Sequence, residues 1–200
     1  MLRKLGRQTK VNQNHDGLQV PPGQSVSETF PVLTYGATPQ INLKAWRLRV
    51  FGLVEQESVF NWEEFLALPQ VAITRDFHCV TQWSRMDNLW EGVPFRWVMQ
   101  RVSPRPEAKY VMVRSYGGYA TSLPLDVLME EDVLLTHRQE GKPLEAAHGG
   151  PMRLVVPNRY GWKSAKWVNE LELMAQDKLG FWEQLGYHNN ADPWKEERFA

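Results

Sequence analysis

Cys79 is the only cysteine among 200 residues, and it stands in Asp76-Phe77-His78-Cys79-Val80-Thr81-Gln82-Trp83-Ser84, where an apolar strand runs into a polar turn. A thiol in that setting has two readings. Deprotonated, it is a soft donor for a metal ion; protonated and covered, it is a small apolar residue, which is what free cysteine usually is. A second stretch bears on the choice. Between His148 and Trp167 a short apolar strand is bracketed by turn formers and by Arg153, Arg159, Lys163 and Lys166. Guanidinium and ammonium groups there would serve a phosphate or a polar heterocycle as charge-assisted donors, with glycines letting the backbone come close. A solvated basic turn between strands has the same composition, so the stretch alone does not decide.

Taken together, the two stretches resemble the sulfite-oxidase-like family of molybdopterin oxidoreductases, which includes the catalytic subunit of a bacterial methionine-sulfoxide reductase. In that family one cysteine thiolate ligates molybdenum, and a His or Asn-Gly-x-Pro-x-Arg…Pro…Gly…Lys stretch holds the pterin and its phosphate. His148, Gly149, Pro151, Arg153, Pro157, Gly161 and Lys166 match that pattern, and the resemblance runs over about residues 28–195. It implies an α+β, mainly β fold of the sulfite-oxidase type in a single domain, with molybdenum–molybdopterin as cofactor. It makes Cys79 the metal ligand and assigns cofactor contacts to Thr34, Tyr35, Ser115, His148, Arg153, Lys163, Ser164, Ala165 and Lys166. The segment Phe181–His188 resembles the one that brings a tyrosine hydroxyl over the metal, which gives that role to Tyr187. The other reading of Tyr187 is an aromatic rim residue with a satisfied hydroxyl.

The implied chemistry is two-electron transfer coupled to moving an oxygen atom on a small substrate, with a reducible S-oxide or N-oxide as the leading class. Sulfite oxidation by the same centre and a non-catalytic pterin-binding role are the alternatives. Against sulfite stand two departures: where sulfite oxidases carry an arginine, the run Phe30-Pro31-Val32-Leu33-Thr34-Tyr35 has Leu33, and Trp83-Ser84 replaces a basic residue after the cysteine. Arg75 and Arg85 remain as cations that could reach the pocket from elsewhere. No stretch resembles a haem domain, so electrons are expected to be exchanged with a separate partner, a haem protein or another redox carrier.

The elements that must position these residues can be read from periodicity. Trp46–Val50 alternates apolar and charged residues with period two, as a half-buried strand does, and stops at Gly52. Asn61, with Glu64 three residues on, caps a short helix from Trp62 that Pro69 stops. An apolar strand leads to Cys79. Apolar residues at 95, 97, 98, 99 and 102 give a second helix with Pro94 in its first turn, and further strands are expected over residues 110–113, 133–136, 153–156 and 165–174. Residues 1–27, with Pro21-Pro22-Gly23, read as an extended polar arm, and structure is expected to begin near Phe30, in a domain over 28–200.

Composition sets outer limits. The 23 basic and 23 acidic residues cancel, so nothing in the bulk charge favours nucleic acid or an anionic membrane, and any basic site must be local. Nine tryptophans, spread along the chain, are expected to fill core and rim. His78, His137 and His188 have no close spacing with Cys79 or each other that would suit zinc. One cysteine rules out an internal disulfide, the basic N-terminus is not followed by an apolar run, and no stretch is long and apolar enough to span a bilayer; a cytoplasmic setting is the expectation.

Overall fold

Two mixed sheets carry the chain, and the computed structural model describes them over residues 12, 13 and 19–200. Near the N-terminus lie three short strands, β1 (Asn12–Gln13), β2 (Gln19–Val20) and β3 (Ser25–Val26). Strands β4 (Arg47–Gly52) and β5 (Ser58–Asn61) then lead into helix α1 (Trp62–Leu66). A long hairpin, β6 (Val71–His78) and β7 (Trp83–Pro94), runs into α2 (Phe95–Val102). After β8 (Tyr110–Ser115), β9 (Ala120–Pro124) and α3 (Leu125–Leu128) come β10 (Leu134–Gln139), β11 (Lys142–Pro143), β12 (Arg153–Val155) and β13 (Val168–Met174).

One sheet has the order β5-β4-β13-β8-β9, with β4 and β13 parallel and the other neighbours antiparallel. The other is built around β7, which pairs antiparallel with β6 and β10 and parallel with β3, while β10 also takes β11 and β12. Alternation decides which faces meet. In β4, Leu48 and Val50 are fully buried and Arg47 and Arg49 point out, and Phe95, Val98, Met99 and Val102 give α2 one apolar stripe at helical spacing. These side chains join Trp46, Phe65, Val113, Leu135, Leu154 and Leu171 in the main core. A smaller apolar cluster of Phe77, Trp90, Leu134, Leu144 and Val155 lies against Phe30 and Trp83.

The expected elements are present, with shifted bounds. Asn61 and Glu64 form a reciprocal capping box at 2.9 and 2.8 Å, though α1 already ends at Leu66. Pro94 is the residue before α2 and the last of β7, not a member of the first turn. Strand β7 escapes a period-two reading because Asp87 has a positive φ of 52° and the register against β6 shifts between Arg75 and Phe77. The largest correction is at the N-terminus. Order does not start near Phe30: β3 pairs with Trp83-Ser84, Val20, Pro21, Pro22 and Gln24 are buried, and the arm is docked from residue 19 onward. The rest of the expected arm, residues 1–11 and 14–18, lies outside the described residues.

Gln24 is what the docked arm brings to the interior. Its Nε2 donates to the Cys79 carbonyl at 3.0 Å, and its Oε1 accepts from the Ser84 hydroxyl at 3.3 Å. Ser84 Oγ in turn lies 2.8 Å from His78 Nδ1. With the Ser84 proton given to Gln24, His78 must donate from Nδ1, which fixes its tautomer. Burial agrees, holding the imidazole neutral by lowering its pKa to about 4 against a weaker opposing pull from Asp76. Replacing Gln24 by Ala takes one of two donors from the buried Cys79 carbonyl and the acceptor from the buried Ser84 hydroxyl. Gln24→Ala should therefore cost about 1–3 kcal/mol in urea unfolding, whereas Ser25→Ala, on the exposed neighbour, should stay within about 0.5 kcal/mol.

Candidate active site

The turn between β6 and β7 carries Cys79. It is closed by the Cys79 amide on the Trp83 carbonyl at 2.8 Å and the Gln82 amide on the Cys79 carbonyl at 3.1 Å, with Gln82 in the left-handed region at φ 71°. That combination is a tight turn followed by one left-handed residue, a common hairpin solution. Arg198 adds a donor from the far end of the chain, its Nη1 reaching the Val80 carbonyl at 2.7 Å. The thiol is 9 % exposed and opens into a cavity of about 300 Å³.

Facing Cys79 across the cavity are residues of the second stretch. His148, Arg153, Ser164, Ala165 and Lys166 all line it, as do Thr34 and Tyr35 from one side and Tyr187 from another. Pairing of β12 with β10 sets Arg153 opposite Thr136, 2 % exposed. Its guanidinium donates to the carbonyls of His148 at 3.0 Å and Ser164 at 2.9 Å, and lies 5.1 Å from the Phe77 ring centre, with Phe30 and Trp90 slightly farther. Lys166 Nζ is bound to the carbonyls of Leu33 at 2.8 Å and Ala147 at 2.7 Å. Among the described residues neither cation meets a carboxylate, and no Asp or Glu lines the cavity. Carbonyls satisfy the donors but leave the charge unbalanced, and a buried unbalanced charge is costly. Desolvation lowers the pKa of Arg153 to about 10 and, with the repulsion of Arg153 added, that of Lys166 to about 8. Burial and these two cations also push His148 down. Its neutral ring stacks on Phe30 at 4.9 Å.

The glycines serve packing more than ligand approach. A Cβ on Gly149, which has φ +110°, would come within 3.0 Å of the Cβ atoms of Arg153 and Lys166, and one on Gly161 would strike the Phe77 ring at 2.5 Å. Their absence of side chains is what lets the two cations and the cavity wall sit together. Ser164 Oγ accepts from the Val156 amide at 2.9 Å, so its hydroxyl oxygen already fixes the strand beside it.

Two expected contacts are corrected. Lys163 is buried, but its ammonium faces away from the cavity: it is 2.6 Å from Glu183 Oε1 and donates to the Ser122 carbonyl at 2.8 Å. Glu183, which also accepts from Thr121 and Trp162, requires that cation there. Ser115 is buried at the end of β8 and does not line the cavity, and neither does Arg159. The sequence reading missed the aromatic lining of Phe30, Phe77, Trp83, Tyr119, Trp162 and Trp182. Those residues come from five separate segments that only the fold unites. Tyr187 packs its ring at 5.1 Å from Trp162 and 5.0 Å from Trp182. Among the described residues no protein group bonds its hydroxyl, and no cluster of three His, Cys, Asp or Glu side chains could hold a metal ion alone. A metal bound at Cys79 must arrive with its other ligands.

Comparison with known proteins decides the family. The oxidoreductase molybdopterin-binding domain matches residues 35–182. The chain belongs to that molybdopterin oxidoreductase family. It is 40 % identical over 192 residues to the uncharacterized oxidoreductase YuiH of Bacillus subtilis, covering 96 % of this chain and 97 % of that protein. It is 31 % identical over 170 residues to a putative protein-methionine-sulfoxide reductase subunit of Azospira oryzae and 30 % identical over 179 residues to a protein-methionine-sulfoxide reductase catalytic subunit of Xanthomonas axonopodis. These alignments take in 84 % and 78 % of this chain but only 64 % and 55 % of the two relatives. The sulfane dehydrogenase SoxCD from Paracoccus pantotrophus superposes with a TM-score of 0.64 at 26 % identity, over 70 % of this chain and 40 % of that one. The fold is the expected α+β, mainly β sulfite-oxidase type in a single domain, the cofactor is molybdopterin with its molybdenum, and the protein is an oxidoreductase. The cavity's two uncompensated cations and lone thiol are a donor set that suits an anionic, metal-bearing pterin.

Two outcomes check this geometry. Lys163→Ala leaves Glu183 buried and unpaired and should destabilise the fold by about 3–5 kcal/mol in chemical denaturation. For Lys166 the sign of the pH effect follows from its lowered pKa: the ammonium is present below about 8 and lost above it. Binding of sulfate, whose own charge does not change over this range, to the cofactor-free protein, followed by calorimetry, should therefore be steady up to about pH 8 and weaken above it. Lys166→Arg should remove that decline.

Proposed function

We propose that the cavity holds molybdenum–molybdopterin with Cys79 as the protein's ligand to the metal, and that the enzyme reduces a small neutral oxide. The observation that carries this reading is Arg153, a fully buried cation without a carboxylate, whose charge an anionic group entering the cavity would balance. When bound, the cofactor supplies the two-electron chemistry, with molybdenum exchanging between its VI and IV states. The chain's own residues hold, orient and shield. Arg153 and Lys166 bind the phosphate, His148 offers a neutral ring to the pterin, and Ser164, Ala165, Thr34 and Tyr35 shape the remaining walls. Tyr187, whose ring is fixed by Trp162 and Trp182, presents a hydroxyl that can donate to the substrate oxygen. The aromatic lining keeps water from the reacting centre.

A neutral substrate is favoured by where the other arginines are held. Arg85 is tied to Asn88 at 2.7 Å and Glu140 at 3.3 Å, and Arg75 to Asp132 at 2.8 Å, while Leu33, which lines the cavity, stands where the resemblance to sulfite oxidases would put an arginine. A sulfite dianion would have to shed water without a guanidinium to replace it. Two relatives bear the name protein-methionine-sulfoxide reductase, which favours an S-oxide over an N-oxide. Electrons are supplied by a separate redox carrier, a haem protein or another, and the setting is cytoplasmic, where the single thiol stays reduced.

The test is purification from a host that makes molybdopterin. The protein should contain a molybdenum and a pterin per chain, and Cys79→Ser should lose turnover and the thiolate-to-molybdenum absorption band while retaining most of the pterin. Dye-coupled reduction of a panel of small sulfoxides should give a higher kcat/KM than sulfite oxidation. Protein from such a host with neither molybdenum nor pterin, or a Cys79→Ser enzyme with wild-type spectrum and rate, would end the proposal; efficient sulfite oxidation with inert sulfoxides would overturn its substrate.

A further inference from the structure

The sulfur of Cys79 has one polar neighbour in its own turn. Thr81 Oγ1 lies 3.1 Å from Sγ, and Thr81 lines the same cavity. A thiolate that ligates a metal has no proton to give, so a hydrogen bond across this contact must be donated by the threonine. Among the described residues the Thr81 hydroxyl has no other protein partner, which leaves its proton available for the sulfur.

The contact is held in place by the whole turn. The Cys79 carbonyl accepts from Gln24 and from the Gln82 amide, the Val80 carbonyl accepts from Arg198, and the Gln82 carbonyl accepts from both the amide and the hydroxyl of Ser25. Three of the four carbonyls from Cys79 to Gln82, all but that of Thr81, are thereby pinned from outside the turn. The branched side chain of threonine adds a stiff χ1, so Oγ1 cannot leave Sγ without a rotamer change or a break in this network.

We infer that Thr81 donates a hydrogen bond to the Cys79 sulfur and thereby raises the reduction potential of the metal centre. The inference rests on the reading of Cys79 as the molybdenum ligand. A hydrogen bond to a ligating sulfur draws electron density from it, the sulfur donates less to the metal, and the lower oxidation state is favoured. Thr81 is a positioning and tuning residue. It acts on the metal through Cys79.

The experiment is a dye-mediated redox titration of the holoenzyme, following the molybdenum(V) resonance and the thiolate charge-transfer band, with molybdenum content measured on each sample. Thr81→Val keeps the shape and removes the donor; Thr81→Ala is a second hydroxyl-free variant, and Thr81→Ser keeps the hydroxyl. At the wild-type midpoint, both hydroxyl-free variants should show a reduced-to-oxidised ratio lower by about tenfold, or ~59 mV for a one-electron couple. Their charge-transfer band should move to longer wavelength. Thr81→Ser should return both readouts toward wild type. Loaded Thr81→Val and Thr81→Ala enzymes that titrate with the wild-type midpoint, or a Thr81→Ser enzyme that behaves like Thr81→Val, overturn the inference while leaving Cys79 as ligand. A protein without molybdenum, or one whose Cys79→Ser variant keeps the band, overturns the ligand reading and this inference with it.

Discussion

A positive charge buried without a negative partner is the constraint on which this site depends. Arg153 is placed by the pairing of β12 with β10, covered by Phe30, Phe77 and Trp90, and bonded only to carbonyls. Carbonyl dipoles soften the cost of burial but cannot cancel a full charge. Lys166 repeats the pattern at the cavity wall, and the two cations raise the cost of protonating His148 between them. The protein's own groups thus leave the charge of the pocket unbalanced. An anion that enters repays part of the cost of burying these cations, so binding and folding stability rise together by mass action.

Around that charge the fold solves a positioning problem with distant pieces of chain. Cys79 comes from one hairpin, Arg153 from β12 and Lys166 from the segment that follows it, Tyr187 from the tail, and Thr34 and Tyr35 from the irregular run before β4. Glycine enters where side chains must converge: Gly149 makes room for the stems of Arg153 and Lys166, and Gly161 for the Phe77 ring. The tail is anchored separately by the buried pair of Lys163 and Glu183, which keeps Trp162 and Trp182 beside Tyr187. A residue three positions from Lys166 thus serves an opposite purpose, tying the scaffold while Lys166 lines the cavity.

How much of this was legible in the sequence depended on whether the signal was local. The capping box at Asn61 and Glu64, the alternation in β4 and the stripe on α2 each depend on spacings of two to four residues, and each is found where expected. Cys79, His148, Arg153 and Lys166 were legible because their motif spacing survives folding, and all four line one cavity. Strand β7 was hidden by a bulge that breaks alternation. Lys163 misled because its composition matched its neighbours, and only the tertiary placement of Glu183 turns its ammonium away. Gln24 and Arg198 carried no signal, since each matters only through a carbonyl distant in sequence.

That last pair has a consequence for how the protein is made. Arg198 bonds the carbonyls of Val80 and of Pro22, the latter 176 residues away in sequence. The turn bearing Cys79 is therefore incompletely braced on a chain still emerging from the ribosome, until residue 198 has cleared the exit tunnel and docked. A contact of that span forms late, because its loop must close before it is rewarded. The segment around Arg198 therefore acts as a late latch on the turn that bears Cys79, joining it to Pro22 in the same step.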